Sequence, residues 1–209
     1  MPRVSAAEKE RSHNRIIDEA SRLLRSGELE TTSVSDVMNS AGQTHGGFYR
    51  HFKSKDALVG AAFHFATQDV TRALRVAETQ AERLKALDDY INTYLSVEHV
   101  NDLSNGCPLA ALSGEAARTD GAARQSAGEA LETTTQLIAR AIGGEKPAAM
   151  SKANTIACLL VGTISLARVA ASEDNRDQLL KDAKNAVGVV LDHAQSMGGE
   201  EPANKSKRR

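Results

Sequence analysis

The stretch Ala41-Gly42-Gln43-Thr44-His45-Gly46-Gly47-Phe48-Tyr49-Arg50-His51-Phe52 constrains this chain more than any other. Just before it, Ser33 stands as a helix-opening residue with Asp36 three positions on. Val34, Val37, Met38 and Ala41 then follow the i, i+3, i+4, i+7 pattern of a helix face that ends at Gly42. Thr44 is placed to cap a second short helix, with Phe48 and Phe52 four positions apart as its inward anchors. Neither segment approaches the roughly 12–15 residues that an isolated helix needs in water, so both must be packed by their neighbours. Two short helices joined by a glycine turn predict a helix-turn-helix. Of the seven aromatic residues in the chain, Phe48, Tyr49 and Phe52 crowd into this stretch, interleaved with Arg50, His51 and Lys53. Gly46 and Gly47 each cost about 1 kcal/mol relative to Ala in a helix, so close approach of another surface is expected there, either a DNA groove or a tight helix crossing.

Pro is confined to positions 2, 108, 147 and 202, and β-branched residues do not alternate, so an all-α fold is expected over the 209 residues. Net charge is −1, which removes any global polycation argument for nucleic acid. Locally, residues 1–60 hold nine Lys/Arg against eight Asp/Glu, and residues 61–199 hold thirteen against seventeen. DNA binding must therefore rest on where charges sit. Cys107 and Cys158 make neither a zinc pattern nor a disulfide framework, and with no secretory signal read at the N-terminus a cytoplasmic location is expected. The apolar run from Thr155 to Ala171 is broken by Gly162, Thr163, Ser165 and Arg168, so a buried helix is expected there and no membrane partner.

Taken in order, Ser5 with Glu8 predicts a first helix to Gly27, with Arg11, Arg15, Arg22 and Arg25 on its flanks, as a solvated face or, for some, within reach of a phosphate backbone. Ser54 opens a long helix running to about Ala77, followed by a helix over residues 80–97. The polar stretch His99–Gly106 reads as a loop. Cys107-Pro108 starts an Ala-rich helix, and further helices span about 120–141, from Pro147 to near Ala171, and 174–195. The expected organisation is a DNA-binding domain over 1–53, a helical ligand-binding and dimerisation domain over 54–197, and a disordered basic tail over 198–209.

Residues 5–65 resemble the DNA-binding domain of tetracycline-repressor-type (TetR family) transcriptional regulators. The likeness is carried by Thr32-Ser33-Val34 with Asp36 and Val37, Ala41-Gly42, Thr44, Gly46, Phe48 through Phe52, Ser54-Lys55 and Ala57-Leu58. It implies a three-helix head, a larger helical body that binds a small molecule and dimerises, and derepression when that molecule binds. It also implies that Gln43, His45 and Arg50 face base edges, while Thr32, Ser33, Thr44, Tyr49, His51 and Lys55 face phosphates. Gly47 departs from the Thr or Ser that many members carry after the motif glycine. Arg pairs bidentately with guanine and Gln with adenine, whereas Lys and hydroxyls fix register without reading sequence.

The last two helices carry more apolar surface than one amphipathic face requires, so a homodimer through roughly 152–171 and 174–195 is expected, matched to a double-stranded palindromic operator. A pocket for a small-molecule inducer is expected among the body helices, with Tyr90, Tyr94, His99, Cys107 and Arg168 as its candidates. Cys107, at a helix N-terminus, also supports an alternative in which a thiolate senses oxidants or electrophiles. No catalytic residues, metal ligands or cofactor are expected, because the histidines are scattered and no nucleophile, base or metal spacing is present. A helical protein-interaction module without DNA binding is the remote alternative.

Overall fold

The computed structural model describes residues 5–27, 29–144 and 146–196, with side chains to 192. The expected tail, 198–209, lies outside the described residues. Within them the chain is all-α: ten α-helices and one 3-10 helix, and no strand.

Helix α1, Ala6–Ser26, starts where the Ser5 hydroxyl accepts the Glu8 amide. Helix α2, Val34–Ser40, opens with a reciprocal cap. The Ser33 hydroxyl accepts the Asp36 amide at 3.1 Å, and the Asp36 carboxylate accepts from the Ser33 amide at 2.9 Å and hydroxyl at 2.6 Å. Its end is a Schellman turn. Gly42 takes φ +67° and donates to the Asn39 carbonyl, and the Gln43 amide donates to that of Met38. A side chain at Gly42 would be strained in this left-handed conformation.

The segment expected as a second short helix capped by Thr44 is a 3-10 helix, His45–Arg50, and Thr44 makes no side-chain cap there. Gly46 and Gly47 explain the difference, since two adjacent glycines weaken α propagation and the tighter turns close on i→i+3 bonds such as His51 to Phe48. Phe48 and Phe52 are buried as expected. The tight crossing offered for the two glycines is not found. An added Cβ meets nothing within 4 Å at Gly46, and at Gly47 only ordinary contacts of 3.6 Å.

Helix α3, Lys55–Val70, stops earlier than expected, and a separate turn, α4 Arg72–Val76, follows it. Buried Thr67 and Thr71 turn their hydroxyls back on the Phe63 and Thr67 carbonyls, at 2.8 Å and 2.6 Å, a bonding that loosens the helix at this point. Helix α5, Gln80–Tyr94, is capped reciprocally by Thr79 and Glu82. A five-residue helix, α6 Val97–Asn101, runs into the first three residues of the expected polar loop, because the Ser96 hydroxyl caps the His99 amide. Helices α7 Pro108–Ala116, α8 Ala122–Ile142, α9 Pro147–Ala167 and α10 Glu173–Ser196 complete the body.

Two apolar cores result. One joins Ile16, Ala20 and Leu24 of α1 to Val37, Met38, Phe48, Phe52, Leu58 and Phe63, and takes in Leu112 of α7. The other joins α5, α8, α9 and α10 around Leu87, Ile91, Ile138, Ile156, Leu160 and Ile164. Polar links cross from the head to α7 and the residues just before it. Arg25, expected on a solvated flank, is buried; its Nη1 donates to the Gly106 carbonyl at 2.7 Å and its Nε to the Ser21 carbonyl at 2.9 Å. The Leu29 amide donates to the Glu115 carboxylate at 2.8 Å.

Candidate nucleic-acid interface and body cavity

Burying Phe48 and Phe52 turns the other side of the 3-10 helix outward. Thr44, His45, Gly46, Tyr49 and Arg50 are exposed, with Tyr49 at 73%. A phenol this open contributes little to the core; its ring only edges Phe48 at 5.2 Å. Gln43 lines a shallow cleft with Glu8, Arg11, Ser12 and Arg15, so basic side chains from the start of α1 stand beside the turn. In the sequence these arginines read as a solvated helix flank from which some could approach a phosphate backbone, and the packing of α1 on α2 brings Arg11 and Arg15 to the turn.

The expected phosphate-facing residues are not equivalent. Thr44 and Tyr49 present open hydroxyls. Ser33 spends its hydroxyl on the α2 cap, and Lys55 donates its Nζ to the Glu30 carbonyl at 3.2 Å. Thr32 is half-buried. His51 is half-buried with its ring stacked 5.8 Å from His13, and its Nδ1 is enclosed without a partner among the described residues. Its pKa is held below the ordinary histidine value, first by burial and then by the charges of His13, Lys9 and Arg50. Neutral His51 can offer a phosphate a hydrogen bond but no charge.

In the body, Tyr90, Tyr94, His99 and Cys107 line one cavity of about 380 Å³. Arg168 does not line it. Its guanidinium donates to the carbonyls of Val100 at 3.3 Å and His99 at 3.4 Å, and it borders a neighbouring cleft with Asn101 and Leu103. His99 is fixed at both nitrogens: Nδ1 donates to the Tyr94 carbonyl at 2.7 Å, and Nε2 accepts the Cys107 amide at 3.0 Å. That pattern requires the neutral ring, and burial is the main cause holding the His99 pKa low. Gly106 is pressed against the same ring, where a Cβ would fall 2.7 Å from His99 Nε2. Cys107 is 2% exposed and stands near the Arg25 and Arg168 guanidiniums, basic neighbours the sequence did not reveal. Asp69 and Asp102 also line the cavity, and nothing in their spacing marks them for it. Among the described residues no three His, Cys, Asp or Glu side chains converge as a metal site would need.

Residues 16–62 match the family of bacterial regulatory proteins described as the tetR family, and residues 82–182 match the C-terminal domain of LmrA/YxaF-like transcriptional regulators. The chain belongs to the TetR family. It is thus a TetR-family transcriptional regulator with a DNA-binding domain, and neither family nor fold is that of an enzyme. An uncharacterised HTH-type transcriptional regulator of Mycobacterium tuberculosis is 34% identical over 104 residues, 49% of this chain and 52% of the relative. The chain thus spans about half the length of the curated relatives it matches. Among solved structures, a TetR-family regulator from Cytophaga hutchinsonii superposes with a TM-score of 0.66 at 20% identity, over 90% of this chain and 98% of that one. The reduced form of NemR from Escherichia coli gives 0.62 at 19% identity, over 84% and 96%. At these identities the likeness is one of fold.

Proposed function

We propose that this TetR-family chain is a ligand-responsive repressor, which binds a palindromic operator as a homodimer and lets go when a small molecule enters the body cavity. The observation that carries it is the bond from Arg25 to the Gly106 carbonyl, because Gly106 belongs to the cavity wall and Arg25 to the helix on which the DNA-binding turn is packed. A molecule that displaces His99 or Gly106 shifts the partner of a buried guanidinium in α1. Gln43, His45 and Arg50 are the base readers in this proposal, and Thr44 and Tyr49 the principal phosphate contacts. Thr32, Ser33, His51 and Lys55 have supporting roles there, since their polar groups are engaged or half-buried. The head over 1–53 and the body over 54–197 are its two functional parts.

Homodimerisation is supported by the outer face of α9, where Cys158 and Leu166 stand exposed, with Val169 just beyond the helix and Val189 on α10. A thiol-sensing variant of the function is favoured by one observation, the placement of Cys107 at the N-terminus of α7 near two buried guanidiniums. The test is a footprint on the DNA flanking the gene, with affinity measured against salt. Log affinity must fall linearly with log salt, and a salt-independent or absent complex removes DNA binding from the proposal. Release of the footprint by oxidants or quinones that survives Cys107→Ser rules out the thiol variant.

A further inference from the structure

We propose that the body cavity takes an uncharged ring compound bearing an oxygen acceptor, held by hydrogen bonds from the Tyr90 and Tyr94 hydroxyls. This deepens the ligand-responsive reading above and rests on it. Tyr90 and Tyr94 are 9% and 4% exposed, both line the cavity, and neither hydroxyl has a hydrogen-bond partner among the described residues. The Tyr94 hydroxyl lies alongside the Cys107 thiol, which is a weak partner at best. Two unpaired phenols in one wall are expensive to keep, and an acceptor on a ligand restores the bonds that each lost on leaving water.

The wall also selects shape and charge. Tyr90 and Tyr94 pack with ring centroids 5.5 Å apart, and His99 meets Tyr94 edge-on at 4.5 Å, so three rings offer faces and edges to a flat guest. Burial keeps both phenols protonated far above neutral pH, so they serve as donors. Among the described residues the lining holds three carboxylates and no Lys or Arg. Asp69 pairs with Arg72 at 2.7 Å, and Asp102 accepts from Asn105 at 3.0 Å. Arg25 and Arg168 are committed to backbone carbonyls. An anion would meet the Asp69, Glu98 and Asp102 carboxylates, while a cation would have to compete with Arg72 for Asp69 and with Asn105 for Asp102, with two guanidiniums behind the wall.

Four naphthalenes of similar size test this by calorimetry on the full chain: 2-acetylnaphthalene, 2-isopropylnaphthalene, 2-naphthoate and 2-(aminomethyl)naphthalene. The ketone is expected to bind at least about tenfold tighter than the hydrocarbon and than either ion, the size of one or two well-placed hydrogen bonds. Tyr90→Phe and Tyr94→Phe should each erode that preference and leave hydrocarbon affinity unchanged, which also reports that the variants fold. Equal binding of ketone and hydrocarbon, tighter binding of an ion, no binding of any of the four, or a ketone preference that survives both substitutions overturns the inference. Operator release, followed separately by the anisotropy of a labelled duplex, distinguishes the two levels. A ketone that binds with the expected selectivity and leaves the DNA complex intact sinks the regulatory reading alone, whereas release by compounds without that selectivity sinks the ligand chemistry alone.

Discussion

The Arg25 guanidinium closes an 81-residue loop onto the Gly106 carbonyl at 2.7 Å, so one buried side chain of α1 holds the backbone that forms the cavity wall. Burial holds its pKa below the ordinary arginine value, a cost that the surrounding Asp69, Cys107, Asp102 and Asp18 partly offset. Arg25→Met keeps most of the apolar stem and removes the donor, leaving the Gly106 carbonyl unpaired. We expect about 1–3 kcal/mol lower stability in urea denaturation. The slope of log operator affinity against log salt should stay as in the parent, because no phosphate contact is touched. A variant as stable as the parent would show that the bond is not a tether.

Two glycines should behave oppositely. A Cβ at Gly106 would lie 2.7 Å from His99 Nε2 and 3.0 Å from the Asp102 carbonyl, so Gly106→Ala is expected to cost about 1–3 kcal/mol and to distort the cavity. At Gly47 the same atom meets Met38 and Thr44 at 3.6 Å, an ordinary contact, so Gly47→Ala should fold no less stably than the parent. Any loss of operator affinity in Gly47→Ala then reports the DNA side of the turn. Thermal unfolding of both variants with paired operator titrations settles the matter, and a destabilised Gly47→Ala would contradict it.

In the proposed reading Arg50 faces bases and Tyr49 a phosphate. Arg50→Ala should lower operator affinity by about 1–3 kcal/mol and relax base preference at one position of each half-site. Tyr49→Phe removes one hydroxyl from a ring that is 73% exposed, so its stability should stay within about 0.5 kcal/mol of the parent. It should weaken operator and random duplex by similar factors. Titrations against an operator set with single base changes separate the two patterns, and a Tyr49→Phe effect confined to one base position would reassign Tyr49 to readout.

The head was legible because its signals are local. Ser33 and Asp36 sit three apart, Gly42 supplies the left-handed residue that the turn needs, and Phe48 and Phe52 lie one turn apart. All of this is visible within a few residues. What stayed hidden depends on distant partners or on competition between weak preferences. Arg25 has the spacing of a solvated flank, and its acceptor is 81 positions away. Helix α6 hides in a stretch rich in Asn, Asp and Ser, and only the Ser96 cap tips it into a helix. The break at Thr71 follows from two hydroxyls bonding backward, which a pattern of apolar residues does not register. Four of the five cavity candidates meet because their helices converge, whereas Arg168 sits on the far side of the His99 and Val100 backbone.

The two perturbed histidines set a pH window. His99 and His51 both have pKa values below their unfolded value of about 6.5, so the fold favours the neutral rings. Their contribution is fully present above about pH 6.5 and is lost as pH falls through the lower folded values. Glu82, Glu98, Asp36 and Asp102, all held below the ordinary carboxylate range, lose their contributions only at more acidic pH. Urea midpoints should therefore drop as pH falls below about 6.5, and drop less in His99→Gln, with His51→Gln removing a further part. Parallel curves for parent and both variants would exclude the histidines as the cause.

The outer stripe of α9 is where the proposed homodimer can be tested. The most apolar 18-residue window of helix α9 has a mean hydropathy of 1.3, and 39% of that window is buried in the single chain, which is why the proposed dimer is placed here. Cys158, Gly162 and Leu166 follow at i, i+4 and i+8, which places them on one face, with Leu166 58% exposed and Val169 77%. Because Leu166 contributes little to the core, Leu166→Glu should leave the protomer's unfolding midpoint nearly unchanged when compared at low concentration. Placed at a two-fold interface it buries two unpaired carboxylates, and the dimer should fall apart in sedimentation. A lone protomer engages one half-site, so operator affinity should fall far more steeply than affinity for an isolated half-site. Val189→Glu, on α10, provides an independent position with the same expectation. If both variants sediment as the parent does and keep full operator affinity, the dimer is built on another face.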